Sequence, residues 1–191
     1  MTHSPTLLAA ALALAALAAP ASAQERYDGW LCCNMRTDGS WISDINYVED
    51  GKTVLPAGTP VSVSGYGRQR VRVEIDGKRQ AIGNDYSRDL ALPAFASRYV
   101  LKDDPAARIA SWPAKVQEAV RAAKVTPGMT REQVTTSLGW PVSSENPDVD
   151  NAEIWRFWLD SFSEFQIHFD AQGRVSDITA APTLKNRVWL P

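Results

Sequence analysis

Apolar and polar residues alternate in the last third of the chain, with the two-residue period of β-strands. Segments 153–159 and 165–169 place an aromatic or aliphatic residue at every second position. The residues that share this apolar face are Trp155, Phe157, Leu159, Phe165, Ile167 and Phe169. Residues 170–173, of sequence DAQG, predict a turn, and 174–179 predict a third strand beside the second. We therefore predict a three-stranded antiparallel sheet with one apolar face.

A short helix is predicted immediately before this sheet. Thr130 is placed as the N-cap, and Gln133, three residues later, completes a capping box. Gly139 suits the left-handed position after the helix, and Pro141 prevents its continuation. A helix of about ten residues does not persist alone in water. It must therefore dock on the sheet.

A further amphipathic helix is predicted between 103 and 124. Asp103, Asp104 and Pro105 form an acidic helix start with proline in the first turn, and Pro113 interrupts the segment. The residues that recur with helical spacing are Val116, Ala119, Val120 and Ala123. The two helices and three strands together predict a small α+β unit over residues 103–180, followed by a tail over 181–191.

Residues 27–102 carry short strand patterns separated by turn sequences. Val71, Val73 and Ile75 alternate with charged residues, and Asp76-Gly77 is a hairpin signal. Strands at this spacing predict a small β-barrel. Residues 98–102 fit either a last strand or a bridge between the two units. Residues 83–88 fit a ligand loop, or, as we prefer, a turn in which Asn84 or Asp85 bonds its own backbone.

Several motifs in the second half resemble one family. GMTREQV at 128–134, LGWP at 138–141, WRF at 155–157, FD at 169–170 and GRV at 173–175 are similar to the BamE (SmpA/OmlA) family of small bacterial envelope proteins. The resemblance covers about 105–180 and implies a helix-helix-strand-strand-strand layout, a role in outer-membrane protein assembly or envelope integrity, and no catalysis. The layout also resembles secreted inhibitors of β-lactamase, and PAGTPV at 56–61 resembles bacterial SH3-like domains.

The beginning of the chain has the pattern of a secretory signal. An apolar run at 7–19 is followed by Pro20 and an A-x-A site at 21–23, which predicts cleavage after Ala23. The next residue is Gln24, so the lipobox cysteine that BamE-like lipoproteins carry is missing at this site. We expect a periplasmic or secreted protein without a lipid anchor, and no transmembrane segment after signal removal.

Charge gives no reason to expect nucleic acid as a partner. The chain has 20 Lys and Arg against 22 Asp and Glu, a net charge of −2. Binding to nucleic acid or to an anionic membrane draws on a positive surface field. Proteins of the envelope, or peptidoglycan, are the expected partners.

Cys32 and Cys33 are adjacent in the sequence. Three interpretations stay open: two small buried residues at a strand, a disulfide between neighbours that holds a turn, and a redox-active or intermolecular thiol pair. The C-x-x-C spacing of a thioredoxin-like site is absent from the sequence.

Catalysis has little support in the sequence. His168 is the only histidine after the signal, and it lies on the polar face of a predicted strand. A nucleophilic dyad needs a base beside a thiol or hydroxyl, and a zinc site needs clustered His and Cys. We therefore predict no catalytic residues, no cofactor and no metal.

The aromatic residues favour a contact surface instead. The chain contains seven tryptophans, a residue type enriched at interface hot spots. With Trp155 inside, Trp158 shares the other face with Ile154 and Arg156, beside Trp140 from the helix end. A one-residue slip of register would exchange Trp155 and Trp158. We predict a protein-binding surface at Trp140, Ile154, Arg156 and Trp158, with peptidoglycan binding or enzyme inhibition as alternative functions. Cover of this face by the barrel or the tail is the other interpretation.

Overall fold

The computed structural model describes residues 26–191, in which five helices and eleven strands form an α+β protein with two sheets. The predicted signal peptide, residues 1–23, lies outside the described residues. Within the described range, no helix combines the length and the apolar character needed to cross a membrane.

The first sheet has eight strands and is curled into a half-barrel. Its strands are β1 Tyr27–Leu31, β2 Met35–Thr37, β3 Trp41–Ser43, β4 Thr53–Leu55, β5 Pro60–Tyr66, β6 Arg70–Ile75, β7 Lys78–Gly83 and β8 Val100–Leu101. Their order is β4-β2-β3-β7-β6-β5-β1-β8. The β3–β7 pair is parallel and the other pairs are antiparallel. The predicted small barrel thus differs from the observed sheet, whose terminal strands β4 and β8 are not paired with each other.

The alternation in β6 explains the position of its core. Val71, Val73 and Ile75 are buried and the charged residues between them are exposed. Antiparallel strands with one solvated face show this pattern. The predicted hairpin at Asp76-Gly77 joins β6 to β7. The sequence pattern therefore predicts this part of the sheet correctly.

Helix α1, Leu92–Tyr99, closes the core of the first sheet, and the sequence analysis did not predict it. Phe95, Ala96 and Tyr99 are buried in the same cluster as the β-strand residues. Only Val100–Leu101 of the segment 98–102 form a strand, which pairs with β1. A helix this short is marginal by itself, so burial of these three side chains decides the conformation.

The second unit contains the predicted sheet. Its elements are α2 Ala106–Ala110, α3 Ala114–Arg121, α4 Arg131–Leu138, β9 Ile154–Asp160, β10 Ser163–Phe169, β11 Val175–Thr179 and α5 Pro182–Val188. The sheet order is β11-β10-β9, and all pairs are antiparallel. Phe157 lies opposite Phe165, with stacked rings 5.5 Å apart. All six residues of the predicted apolar face are buried, which confirms the strand register.

Helix α4 docks on this face with the predicted cap. The Thr130 hydroxyl accepts from the Gln133 amide at 3.2 Å, and the Gln133 side chain accepts from the Thr130 amide at 2.9 Å. The chain leaves the helix at Gly139, whose φ of 85° is in the left-handed region. Val134 and Leu138 belong to the same buried cluster as Phe157 and Phe169.

The predicted tail, residues 181–191, belongs to the folded second unit. Helix α5 occupies most of it, and Val188 is 2% exposed in the core cluster. The Val125 amide donates to the Val188 carbonyl at 2.8 Å, and the Leu190 amide donates to the Val125 carbonyl at 2.8 Å. The tail therefore packs on the inner side of the sheet, together with α3 and α4.

Hydrogen bonds join the two units. The Asn34 side chain donates to the carbonyls of Val120 at 2.6 Å and Ser137 at 3.0 Å. The Val48 amide donates to the Leu159 carbonyl of β9 at 2.7 Å. The half-barrel is thus bonded to both the helices and the sheet of the second unit.

Candidate binding surfaces

The outer face of the second sheet carries three of the four residues predicted as a partner surface. Ile154, Arg156 and Trp158 alternate with buried residues along β9. Ile154 is 46% exposed. Arg156 Nε lies 3.2 Å from Glu164 Oε1, and Trp158 Nε1 donates to Glu145 at 2.7 Å. We call Ile154, Arg156, Trp158 and the hairpin residue Phe162 the outer sheet face.

Phe162 lies at the tip of the β9–β10 hairpin and is 94% exposed. Its amide donates to Asp160 Oδ1 at 2.8 Å. This bond, which is the largest cause, lowers the pKa of the Asp160 carboxyl. Phe162 was not among the residues predicted from the sequence. The available signal was an apolar residue within a turn, between Ser161 and Ser163, where polar residues are usual.

Trp140, the fourth predicted residue, lies at the seam between the two units. Its ring packs against the core cluster of the half-barrel. The Arg98 guanidinium carbon is 4.7 Å from the ring centroid, and Trp140 Nε1 donates to the Arg98 carbonyl at 3.3 Å. The structure thus pairs Trp140 with Arg98 of α1, and Trp140 and Trp158 line one small pocket, as predicted. Ile154 and Arg156 lie on the outer face of β9.

A cleft of about 340 Å³ opens at this seam. It is lined by residues from both units, and we call it the seam cleft. The lining residues are Cys32, Arg98, Leu101, Arg108, Arg131, Glu132, Thr135, Thr136, Trp140, Val149, Asp150 and Trp155. Pockets that bind small molecules are commonly of this size, mainly apolar and supplied with a few polar groups. The sequence did not predict it, because its walls lie far apart in the chain.

Arginines supply the positive charge of the seam cleft. Arg108 is paired with Glu132 at 2.9 Å. Arg131 donates to the Ala152 carbonyl at 2.6 Å, and its guanidinium carbon lies 4.4 Å from the centroid of the Phe169 ring. Arg131 Nε is buried without a hydrogen-bond partner. The cleft therefore holds a fixed cation near its apolar wall.

Cys32 and Cys33 are joined by a disulfide in the structure. Cys33 is fully buried, and Cys32 is 7% exposed and lines the seam cleft. The Cys32 amide donates to the Tyr99 carbonyl at 2.9 Å. The pair therefore holds the turn between β1 and β2 against α1, and Cys32 forms part of the cleft wall.

A distant carboxylate caps the loop at 83–88. Asp44, which is 3% exposed, accepts from the amides of Asp85, Tyr86 and Ser87 at 3.3, 2.9 and 2.8 Å. The expected turn, in which Asn84 or Asp85 bonds its own backbone, is replaced by this capping from 41 to 43 residues away. Burial, followed by the Asp44 charge, raises the pKa of the Asp85 carboxyl. The loop is fixed from inside by Asp44.

The described residues contain one histidine, His168, which lies on β10. No cluster of three or more His, Cys, Asp and Glu side chains with metal-site geometry occurs in residues 26–191. His168 Nε2 lies 2.8 Å from Thr179 Oγ1 on the outer side of the second sheet. The surfaces described above offer apolar contact, aromatic faces and arginine donors.

Comparisons with protein-family models, with curated proteins and with solved structures found no match.

Proposed function

We propose that the protein is a non-catalytic binding factor of the bacterial cell envelope, which contacts a partner protein through the outer sheet face. The observation that carries this proposal is the exposure of Phe162, of which 94% is open to solvent at the tip of an ordered hairpin. Exposed aromatic groups that cluster with other apolar residues are typical of protein interaction sites.

The neighbours of Phe162 support a protein partner. Ile154 and Trp158 lie on the strand that leads into the hairpin and supply further apolar side chains on the outer face of β9. Arg156 lies between them and is about half exposed. Aromatic residues and arginine are enriched at interface hot spots. The outer sheet face therefore has the composition of a partner surface.

The order of elements in the second unit supports a BamE-like assignment. Helices α3 and α4 are followed by β9, β10 and β11, the layout that the sequence resemblance implies. The SH3-like assignment of the first unit rests on the PAGTPV segment at 56–61. The predicted signal sequence supports a periplasmic location, and fractionation of cells that produce the full chain tests it.

Site-specific crosslinking in intact cells tests the proposed function. The photoreactive residue p-benzoylphenylalanine replaces Trp158 in one variant, Phe162 in a second and the exposed Lys78 of the other sheet in a third. We expect the Trp158 and Phe162 probes to capture the same envelope protein, and the Lys78 probe not to capture it.

The affinity between the purified protein and the captured partner then measures the contribution of Phe162 to binding. We expect Phe162→Ser to weaken binding of the captured protein at least about tenfold, the size of a modest hot spot. Lys78→Ser serves as the matched control. Capture of the same proteins by all three probes, or an unchanged affinity of Phe162→Ser, contradicts the proposal. If the captured protein is a hydrolase that loses activity in the complex, the protein is an inhibitor.

Peptidoglycan binding is a second candidate, favoured by a basic concavity on the first sheet. Arg68, Arg70 and Arg72 line a recess of about 410 Å³, and the Arg70 guanidinium carbon lies 4.6 Å from the centroid of the Trp41 ring. Arginine and aromatic faces suit a glycan that carries carboxylates. Co-sedimentation with purified sacculi tests this function. If the wild-type protein stays in the supernatant, peptidoglycan binding is excluded.

A further inference from the structure

We propose that the seam cleft is a binding site for a small organic anion that combines a carboxylate with a ring-sized apolar group. This site is separate from the outer sheet face, so the inference is independent of the protein-binding function proposed above.

The apolar part of such a ligand fits the wall that both units build. Trp140 contributes aromatic surface and Leu101 and Val149 contribute aliphatic surface. The nearly buried Trp155 and Cys32 also line the cleft. The volume of about 340 Å³ lies at the lower end of the range for small-molecule pockets. A single ring with a short side chain is therefore a suitable occupant.

The charge balance of the lining favours an anion. Three arginines face two carboxylates, those of Glu132 and Asp150. Glu132 is already paired with Arg108. Arg98 and Arg131 therefore remain as the cations that favour a negatively charged ligand.

Arg98 has the geometry of the main anion-binding group. Its guanidinium lies over the Trp140 ring, and none of the described carboxylates forms an ion pair with it. Stacking holds the planar group by its face and leaves its edge N–H donors for a carboxylate, which arginine can bind through two parallel hydrogen bonds. The carboxylate of the ligand would thus lie beside the aromatic surface of Trp140.

Arg131 supplies a second, immobile positive charge. Its side chain is held over Phe169 and lies against Gly173, where a Cβ atom would come within 2.5 Å of Arg131 Nη1. Its bond to the Ala152 carbonyl fixes the guanidinium without neutralising it. Because the group is half-buried, water and salt screen its field less than that of a surface arginine. The Arg131 side chain therefore does not have to move in order to stabilise an anion in the cleft.

A matched pair of probes tests the site in the full mature chain. 4-Phenylbutyrate carries the required carboxylate and ring, and 4-phenylbutanamide is its uncharged counterpart. The Trp140 indole N–H signal in a ¹⁵N–¹H spectrum, assigned with a Trp140→Phe variant, reports binding. We expect a saturable shift of this signal with 4-phenylbutyrate and at least about tenfold weaker binding of the amide, the ratio that one charge-assisted contact supplies.

Three variants locate the binding energy. Arg98→Gln should weaken 4-phenylbutyrate binding at least about tenfold, and Arg79→Gln, at an exposed arginine outside the cleft, should leave it unchanged. Asp150→Asn should strengthen binding, because it removes a carboxylate from the lining. Loss of folding cannot produce that gain.

Three outcomes overturn the proposal. The first is the absence of a Trp140 shift at about 20 mM probe, a concentration that detects even millimolar affinity. The second is equal binding of the acid and the amide. The third is an equal effect of Arg98→Gln and Arg79→Gln, or weaker binding by Asp150→Asn, in variants whose spectra show the native fold.

Discussion

Every polar group of Asn34 forms a hydrogen bond, and three of these bonds reach the second unit. Its side-chain amide donates to Val120 and Ser137, and its Oδ1 accepts from the Ala57 amide at 3.0 Å. Its backbone amide donates to the Thr136 carbonyl at 2.9 Å, and its carbonyl accepts from Asn46 at 3.0 Å. The residue is 3% exposed. A buried amide whose hydrogen bonds are all formed stabilises the folded state. Removing that amide leaves several buried groups without partners.

Replacing Asn34 by alanine is therefore expected to be costly. Each buried group left without a partner costs about 1–3 kcal/mol, so we expect Asn34→Ala to lower the free energy of unfolding by about 3 kcal/mol. Asn151→Ala, at an exposed position, should change it by less than about 0.5 kcal/mol. Urea denaturation measures both values. A loss below about 1 kcal/mol for Asn34→Ala would contradict the role of this residue.

Two tyrosines make stability depend on alkaline pH. Burial, followed by the charge of Asp44, raises the pKa of Tyr99, which is 1% exposed. Burial, followed by the nearby Tyr86, raises the pKa of Tyr47 to about 12. An unfolded tyrosine loses its proton near pH 10. Above that pH the unfolded state therefore binds fewer protons, and stability that is complete below pH 10 falls as pH rises towards 12.

We expect the urea midpoint to decrease between about pH 9.5 and 11.5, and the Tyr47→Phe/Tyr99→Phe double variant to show a smaller decrease. Absorbance at about 295 nm follows tyrosine ionisation in parallel. An identical pH dependence of the wild-type protein and the double variant would exclude these tyrosines as its source.

Helix α4 shows how one element depends on a local signal and on docking together. Its capping box satisfies two amides at the N-terminus, and its side chains occupy the inner face of the second sheet. Gln133, Thr135, Thr136 and Ser137 are buried as well as the apolar residues, because the half-barrel covers the other side of the helix. The cap determines where the helix begins. Contacts with the second sheet and with the half-barrel keep the helix folded.

The capping contribution can be measured at Thr130. Thr130→Ala removes the acceptor for the Gln133 amide and should lower the free energy of unfolding by about 1 kcal/mol. Thr130→Ser retains a hydroxyl and should recover most of this loss. Thermal unfolding compares the two variants. If the serine variant is as unstable as the alanine variant, packing of the threonine methyl group rather than capping is responsible.

The pairing of β1 with β8 depends on a glycine. A Cβ atom at Gly29 would collide with the Leu101 carbonyl oxygen and come within 2.9 Å of Val100 Cγ1. We expect Gly29→Ala to displace β8 and to cost about 1–3 kcal/mol. Gly67→Ala is the matched control, because the nearest atom to its Cβ would be 3.7 Å away. Amide hydrogen exchange at Leu101 should increase in the Gly29 variant and stay unchanged in the control.

At the scale of the whole molecule, the two units share bonds that neither forms alone. Asn46 Nδ2 donates to the carbonyls of Asn34 and Leu138, both at 3.0 Å, and the Val48 amide bonds to β9. The seam cleft also exists only between docked units, because its walls come from both. Folding of the two units is therefore coupled to formation of the cleft.

We expect the mature protein to unfold in one calorimetric transition, with the van't Hoff enthalpy close to the calorimetric enthalpy. The Asn34→Ala/Asn46→Ala double variant removes the side-chain bonds that these two asparagines form with the second unit, and it should separate the single transition into two. Two transitions in the wild-type protein would show that the units fold independently.

The sequence by itself predicted the second sheet, the inward position of Trp155 and the cap of α4. These features depend on signals within a few residues: a two-residue period, a turn sequence and a Thr-x-x-Gln spacing. The partner-surface residues Ile154, Arg156 and Trp158 were placed on one face for the same reason. Local pattern fixes which side of a strand a residue occupies.

Only the tertiary structure decided which distant segments meet. Helix α1 forms where Phe95 and Tyr99 can be buried in the half-barrel, Asp44 caps a loop about 40 residues away, and Trp140 packs under Arg98. None of these contacts has a local period or a characteristic spacing. Their free energy comes from burial and from satisfying polar groups across the seam, which depends on how the two sheets are placed in space.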